Sequence, residues 1–267
     1  MKLEKFQEQV FFSTVRIALS GGTGVGQSIG TGFLVSVVFP GSKDQFVTLL
    51  VSNRHVFGQK GQSLTLFFHK LNGAKTGPLL GQVVTFHDGQ FSGPHWAHTD
   101  QEIDLACQNV SIIMKSKYNI YHTHLLLDHF ADFGEDDLLP GKEVWFVGYP
   151  ENRFDTAHNL PLLRKGHIAS IPTIDFNSQK QFVIDAQVFR GSSGSPVFSI
   201  LGDRFKFLGL LTQAMIKHQT LQAVPTSTAV GVEQMIGLGI VIKAPAVKEL
   251  IDHSLVKITQ ALGKKLT

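Results

Sequence analysis

Short apolar runs broken by Gly, Asn, Asp and Pro dominate the chain, and that texture predicts an all-β sandwich or barrel. In the first half the runs predict strands at 10–19, 32–39, 46–53, 63–68, 81–86 and 104–112. A second series follows at 143–147, 162–171, 182–186, 196–200, 205–211 and 237–242. Six strands on each side is what two antiparallel Greek-key barrels need. Between the series, residues 115–141 carry Asp132, Glu135, Asp136 and Asp137 and close on Pro140-Gly141, which reads as the connection between barrels. The last segment changes period. Val247, Leu250, Ile251, Leu255, Ile258 and Leu262 recur at helical spacing with Lys248, Glu249, Asp252 and Lys257 interleaved, predicting an amphipathic helix over 246–262. The expected organisation is a first barrel over 10–115, a second over 138–245, and this helix docked on a barrel.

Composition narrows the setting. Hydrophobic residues make up 43% of the 267 and charged residues 17%, the balance of a chain with a buried core. The net charge of +3 is spread out, and without a Lys/Arg run it argues against a nucleic-acid partner. No stretch is apolar for long enough to cross a bilayer. Residues 1–9 lack the unbroken apolar core of a signal peptide, so a cytoplasmic location without membrane attachment is expected. The lone Cys107 excludes an internal disulfide and suits a reducing compartment. Nothing in the pattern speaks to oligomeric state.

Three segments carry candidate chemistry. In Arg190-Gly191-Ser192-Ser193-Gly194-Ser195-Pro196, Gly191 lets the backbone turn so that its N–H and that of Ser193 converge on one point, where an oxyanion could be held. In Ser52-Asn53-Arg54-His55-Val56-Phe57, an apolar strand ends in polar residues and delivers a histidine suited to accept a serine proton. In Asp104-Leu105-Ala106, an aspartate opens an apolar run, where it can lie beside an imidazole and set its tautomer. Asp100 and Glu102 are rival acids, but neither opens such a run. His55 and Asp104 fall in the first strand series and Ser193 in the second, in the order His, Asp, Ser found in chymotrypsin-like enzymes.

The stretch from Asp185-Ala186 to Gly191-Ser192-Ser193-Gly194-Ser195-Pro196 resembles the nucleophile segment of HtrA-type proteases. Gly30-Thr31-Gly32-Phe33-Leu34, Asn53-Arg54-His55-Val56, Asp104-Leu105-Ala106, Val147-Gly148-Tyr149-Pro150 and Gly237-Leu238-Gly239-Ile240 match further points of that pattern. The resemblance implies one trypsin-like peptidase domain over 1–267, acting on protein or peptide substrates without metal or other cofactor. It implies His55 as general base, Asp104 as its orienter, Ser193 as nucleophile, and the N–H groups of Gly191 and Ser193 as the oxyanion hole.

Departures are equally specific. No PDZ-like segment is expected after the protease domain. Arg190, Ser192 and Ser195 replace the usual proline, asparagine and glycine, and Ser195 is expected to narrow the space near the nucleophile. Ser192 is not the aspartate that receives a new N-terminus in digestive-type enzymes, so no activation by N-terminal processing is expected. Gln187, Thr212, Gln213, Ala214 and Ile240 are the expected substrate-pocket residues, a neutral set favouring a small or medium aliphatic side chain before the cleaved bond; Asp185 is the acid that a different loop path would bring in. A catalytically silent binding module of the same fold is the competing reading, and a metal-dependent hydrolase a third.

Other motifs weigh less. Gly21-Gly22-Thr23-Gly24-Val25-Gly26-Gln27-Ser28 lacks the lysine and the helix of a phosphate loop and reads as a hairpin. His95, His98, His122, His124 and His129 lack zinc-site spacing and are expected to be solvated loop residues. Cys107 is expected to be a buried hydrophobe.

Overall fold

The computed structural model describes residues 5–21, 28–42, 44–58, 62–91, 93–135, 137–222, 229–261 and 263. The glycine-rich residues 22–27, Asp136 and Leu262 lie outside them.

The first strand series becomes β1 (Thr14–Ser20), β2 (Ser28–Val38), β3 (Phe46–Ser52), β4 (Ser63–Leu71), β5 (Pro78–His87), β6 (Trp96–Ala97), β7 (Ala106–Asn109) and β8 (Ile120–Tyr121). They form one antiparallel sheet ordered β5-β4-β1-β2-β3-β7-β6, with β8 beside β4. The second series becomes β9 (Glu143–Gly148), β10 (Leu162–Ile168), β11 (Gln181–Asp185), β12 (Pro196–Leu201), β13 (Arg204–Gln222) and β14 (Ala229–Lys243), which close as β10-β11-β14-β13-β12-β9. The all-β, two-part architecture is the expected one; the first half differs in having eight strands whose described ladders end at β5 and β6.

Three departures have local causes. Residues 10–13, expected as strand, finish the helix α1 (Phe6–Ser13) instead. Val10-Phe11-Phe12 has no period-2 alternation, and the hydroxyls of Ser13 and Thr14 donate to the Val10 carbonyl (3.1 and 2.8 Å) to end the helix. Asp104 precedes its strand rather than opening it, because tight bonds from Ile103 N to Asp100 O and from Leu105 N to Ile103 O curl the chain before β7. The pairing of β13 with β14 runs on to Gln222 opposite Ala229. Lys217, His218, Gln219, Glu233 and Gln234 interrupt the apolar signal there, but the two strands still pair with each other.

Each half has its own core. Leu34, Leu50, Leu66 and Phe86 belong to the first, and Phe146, Phe182, Ile184 and Leu208 to the second. A third core joins them: Phe33, Val35, Leu49 and Val51 from the first half meet Val147, Phe198, Phe207 and Ile242 from the second. The helix α2 (Ala244–Ala261) seals it with Val247, Leu250, Ile251 and Ile258. Phe207 is central, its ring 5.1 Å from Phe33, 4.7 Å from Phe130 and 5.9 Å from Phe198. Cys107 faces Ser254 of α2 (Sγ–Oγ 3.0 Å), and burial pushes its thiol pKa up to about 12.

Of the five histidines expected to be solvated, His95 and His124 are exposed, whereas others are covered. His98 is buried, its Nε2 3.4 Å from Glu249 Oε2 of α2. His122 is partly buried, and burial lowers its pKa to about 4. His69 lies between β5 and β8 on the ring of Phe12 at 4.9 Å, with no hydrogen-bond partner for either ring nitrogen among the described residues.

This packing sets two measurable expectations. Phe207→Ala should cost about 3–5 kcal/mol in urea denaturation, and both halves should still unfold in one transition because they share its core. Burial lowers the His69 pKa to about 4, below its unfolded value of ~6.5. The unfolded chain therefore takes up the proton first, and stability should fall as pH drops from ~6.5 to about 4. Denaturation curves of His69→Phe across that window should show a shallower decline.

Candidate active site

Where β3 ends, Asn53 turns the chain into a short 3₁₀ segment, Arg54–Phe57, that presents His55. Asn53 is fully buried, and its Nδ2 donates to the Asp104 carbonyl (2.9 Å), as does the Arg54 N–H (3.3 Å). The Asp104 carboxylate in turn takes both groups of His55: Oδ1 accepts its backbone N–H at 3.2 Å and Oδ2 lies 2.6 Å from Nδ1. This two-point hold puts the proton on Nδ1 and leaves Nε2 as the acceptor. Partial burial of Asp104 works against its charge. The hydrogen bonds and charge of His55, with Arg54 nearby, outweigh that and lower the Asp104 pKa. Of the rival acids, Asp100 accepts the Glu102 N–H (3.0 Å) and Glu102 lines the cleft without a described bond to His55.

The second half supplies the Ser193 loop. Gly191 and Gly194 have φ of +83° and +84°, which glycine adopts without strain. A Cβ at Gly194 would overlap the Thr31 carbonyl, and one at Gly191 would fall 2.7 Å from that of Tyr149. The loop is tied across the seam by Thr31 of β2: its N–H donates to Ser193 O (3.0 Å) and its hydroxyl to Gly191 O (3.1 Å). The same hydroxyl accepts the Tyr149 N–H (3.1 Å). The Arg190 and Ser192 carbonyls are taken by the N–H groups of Glu151 (2.6 Å) and Ser195 (3.0 Å). In planar trans peptides the next N–H points the opposite way. Those of Gly191 and Ser193 have no protein acceptor among the described residues.

Ser193 lines one cleft of about 580 Å³ with His55 and Asp104, its hydroxyl donating to the Thr212 carbonyl at 3.1 Å. Thr212 stands in a bulge of β13, since Leu211 pairs with Val241 and Gln213 with Ile240, leaving it no partner on β14. The bulge frees its carbonyl for Ser193 and brings its hydroxyl to 3.5 Å from Asp104 Oδ2. A smaller recess of about 250 Å³ also reaches His55 and Ser193 and is lined by Leu19, Ile29 and Val56.

Of the expected pocket residues, Thr212, Gln213 and Ala214 line the cleft, while Gln187 and Ile240 do not. Ala186 and Val188 are buried, so Gln187 between them turns outward, and Val188 takes the place expected of it. Asp185 is exposed and outside the lining as well. Gln179, Gln181, Phe189, Arg190, Ile216 and Met235 complete the wall; their places follow from loop and hairpin paths that local pattern does not encode. Ser195 does not narrow the space at Ser193. It is fully buried, and its Oγ occupies the place that a Cβ on Gly148 would take, so it packs into the seam. Thr31 and Asn53 appeared in the sequence only as motif matches, without a role.

Among the described residues no three His, Cys, Asp or Glu side chains gather as a metal site, and no helix is long and apolar enough to cross a membrane.

A family model described as a trypsin-like peptidase domain matches residues 30–205. Among solved structures, the thermostable serine protease AL20 from an extremophilic microorganism is similar with a TM-score of 0.52 and 11% identity, over 92% of this chain and 98% of that one. The active form of the Rv3671c protease from M. tuberculosis is similar with a TM-score of 0.47 and 19% identity, over 91% of this chain and 81% of that one. A search of curated proteins gives no match. The likeness to AL20 agrees with a chymotrypsin-like double barrel. With a family match over more than half of its residues, the chain belongs to the trypsin-like peptidases.

Proposed function

We propose that the protein is a serine endopeptidase of HtrA-like type, working through an acyl-enzyme. The observation that carries this reading is the cleft shared by the His55–Asp104 pair and Ser193, beside two N–H groups without a protein acceptor among the described residues. Ser193 Oγ turns from the Thr212 carbonyl toward His55 and attacks the scissile carbonyl carbon. Its proton passes to His55 Nε2 as the C–O bond forms, and the imidazolium is stabilised by Asp104. The oxyanion is held by the N–H groups of Gly191 and Ser193. Collapse breaks the C–N bond, and His55 gives its proton to the leaving amine. Water then attacks the ester with His55 again as base, releasing the acid and restoring Ser193. The competing reading, a silent binding module, has no use for the two-point hold on His55.

Ser193→Ala should lose turnover on the order of 10⁶-fold with the fold intact, and Asp104→Asn about 10⁴-fold through the wrong imidazole tautomer. Ser192→Ala and Ser195→Ala should retain far more, since both side chains are buried. Labelling by a fluorophosphonate probe is the direct check: modification at Ser193 is expected, and an unlabelled, inactive protein would establish the binding module.

Specificity follows from the walls. Val188, Ala214 and Ile216 are apolar and Thr212 and Gln213 neutral, so a buried Arg or Lys side chain would lie unpaired against them at a cost of several kcal/mol. An aliphatic side chain gains roughly 25 cal/mol per Å² buried. Peptide-library profiling should show cleavage after Val, Ala or Leu; dominance of Arg or Lys would point instead to Glu102, which also lines the cleft.

A further inference from the structure

Arg16 of β1 is held between two rings, its Cζ 3.6 Å from the centroid of Phe67 and 4.6 Å from that of Phe154. Phe67 lies on the neighbouring strand β4, whereas Phe154 belongs to the loop that joins β9 to β10 in the other half. The guanidinium Nε also donates to Asn159 Oδ1 (2.9 Å), near the far end of that loop. Asn159 is buried with φ +55°, and its carbonyl accepts the hydroxyl of the buried Tyr149 (3.3 Å) at the loop's start. One cation from the first half thus grips the loop at Phe154 and Asn159.

The same loop sets a peptide at the active site. Glu151 N donates to the Arg190 carbonyl (2.6 Å), and that bond aims the Gly191 N–H the opposite way. Glu151 and Asn152 both have positive φ, +47° and +57°. Non-glycine residues adopt that region at a cost and stay in it only where their surroundings hold them. Within the 3₁₀ turn Pro150–Asn152 one bond, from Arg153 N to Pro150 O (2.7 Å), closes the chain, but its entering Tyr149 has no capping side chain and Glu151 itself is exposed, so the rest of the hold comes from outside. The grip on Phe154 and Asn159 is such a hold.

We propose that Arg16 is a positioning residue for the oxyanion hole, acting through Asn159 and the Glu151–Arg190 hydrogen bond to orient the Gly191 N–H. This rests on the serine-protease reading above. Its guanidinium combines planar stacking on two rings with a directed N–H donor, which a lysine ammonium does not reproduce. A loosened loop leaves the cleft and the His55–Asp104 pair in place but lets the Arg190–Gly191 peptide rotate. The loss therefore falls on the transition state rather than on substrate binding.

The test uses the full chain with Arg16→Met, which keeps the aliphatic stem, Arg16→Lys, and Asn159→Ala as a milder variant should the first two fold poorly. Turnover is counted per active site by fluorophosphonate titration. Expected is a kcat about 10–100-fold lower in each variant, short of the ~10²–10³-fold loss of a whole donor, with KM within about twofold. Affinity for a peptide aldehyde, whose hemiacetal oxygen needs the hole, should fall by the same factor as kcat. Unchanged kcat per active site with a lower melting temperature, or a raised KM at constant kcat, would reduce Arg16 to a packing role and overturn the proposal. A wild-type chain that neither labels nor turns over peptides would overturn the protease reading itself, so the two failures are distinguishable.

Discussion

At Thr31 the first half touches the Ser193 loop through three groups of one residue: N–H, hydroxyl and carbonyl. The first two bind the carbonyls of Ser193 and Gly191, and the third accepts the Ser52 hydroxyl (2.6 Å) against the face where Gly194 passes. The contact admits no side chain at 194. Each bond alone contributes modestly, about 1 kcal/mol net, but Thr31 is itself fully buried, so breaking any one would leave its group there without a partner. That penalty is what makes the relative placement of the halves, and with it the distance from His55 to Ser193, a fixed property of the fold.

The chemistry is divided along the same seam. In the proposed mechanism base and acid come from one half, nucleophile and open N–H groups from the other, and the third hydrophobic core with α2 holds the two halves together. Preorganised donors act most strongly where water is excluded and no reorganisation is needed at the moment of reaction. Here the preorganisation is distributed: Thr31 orients two carbonyls, Asn53 and Arg54 anchor the Asp104 backbone, and the loop after β9 holds the Arg190 carbonyl.

Legibility in the sequence followed range. Strands with clean apolar runs, such as Phe46–Ser52, were readable because the run itself is buried from Val47 onward, and the α2 stripe because its burial follows the helical period. Ser254 on α2 was not, since its place opposite Cys107 depends on another element. Three consecutive apolar residues at 10–12 carried no period, and tertiary packing decided for helix. At the site, His55, Asp104 and Ser193 stood out because each sits in a distinctive local setting. The lining of the cleft was half legible: Thr212–Ala214 reaches it beside Ser193 along one strand, but placing Gln187 required the parity of a loop, and Val188 lines the cleft instead. Thr31 and Asn53 gave no signal of their own, since a buried hydrogen-bond hub looks like any polar residue in a strand or turn.

The bulge at Thr212 has a consequence for how such a site can drift. Its geometry comes from one residue too many between Leu211 and Gln213, and hardly from which residue that is, because the carbonyl that meets Ser193 belongs to the main chain. Many side chains could stand there with the carbonyl unmoved. Deleting one residue would remove this bulge and turn the side chains that follow it, Gln213 and Ala214, to the opposite face, taking from the cleft the wall they build. Along this edge the inherited quantity is a count of residues, so substitutions can accumulate where a single insertion or deletion cannot.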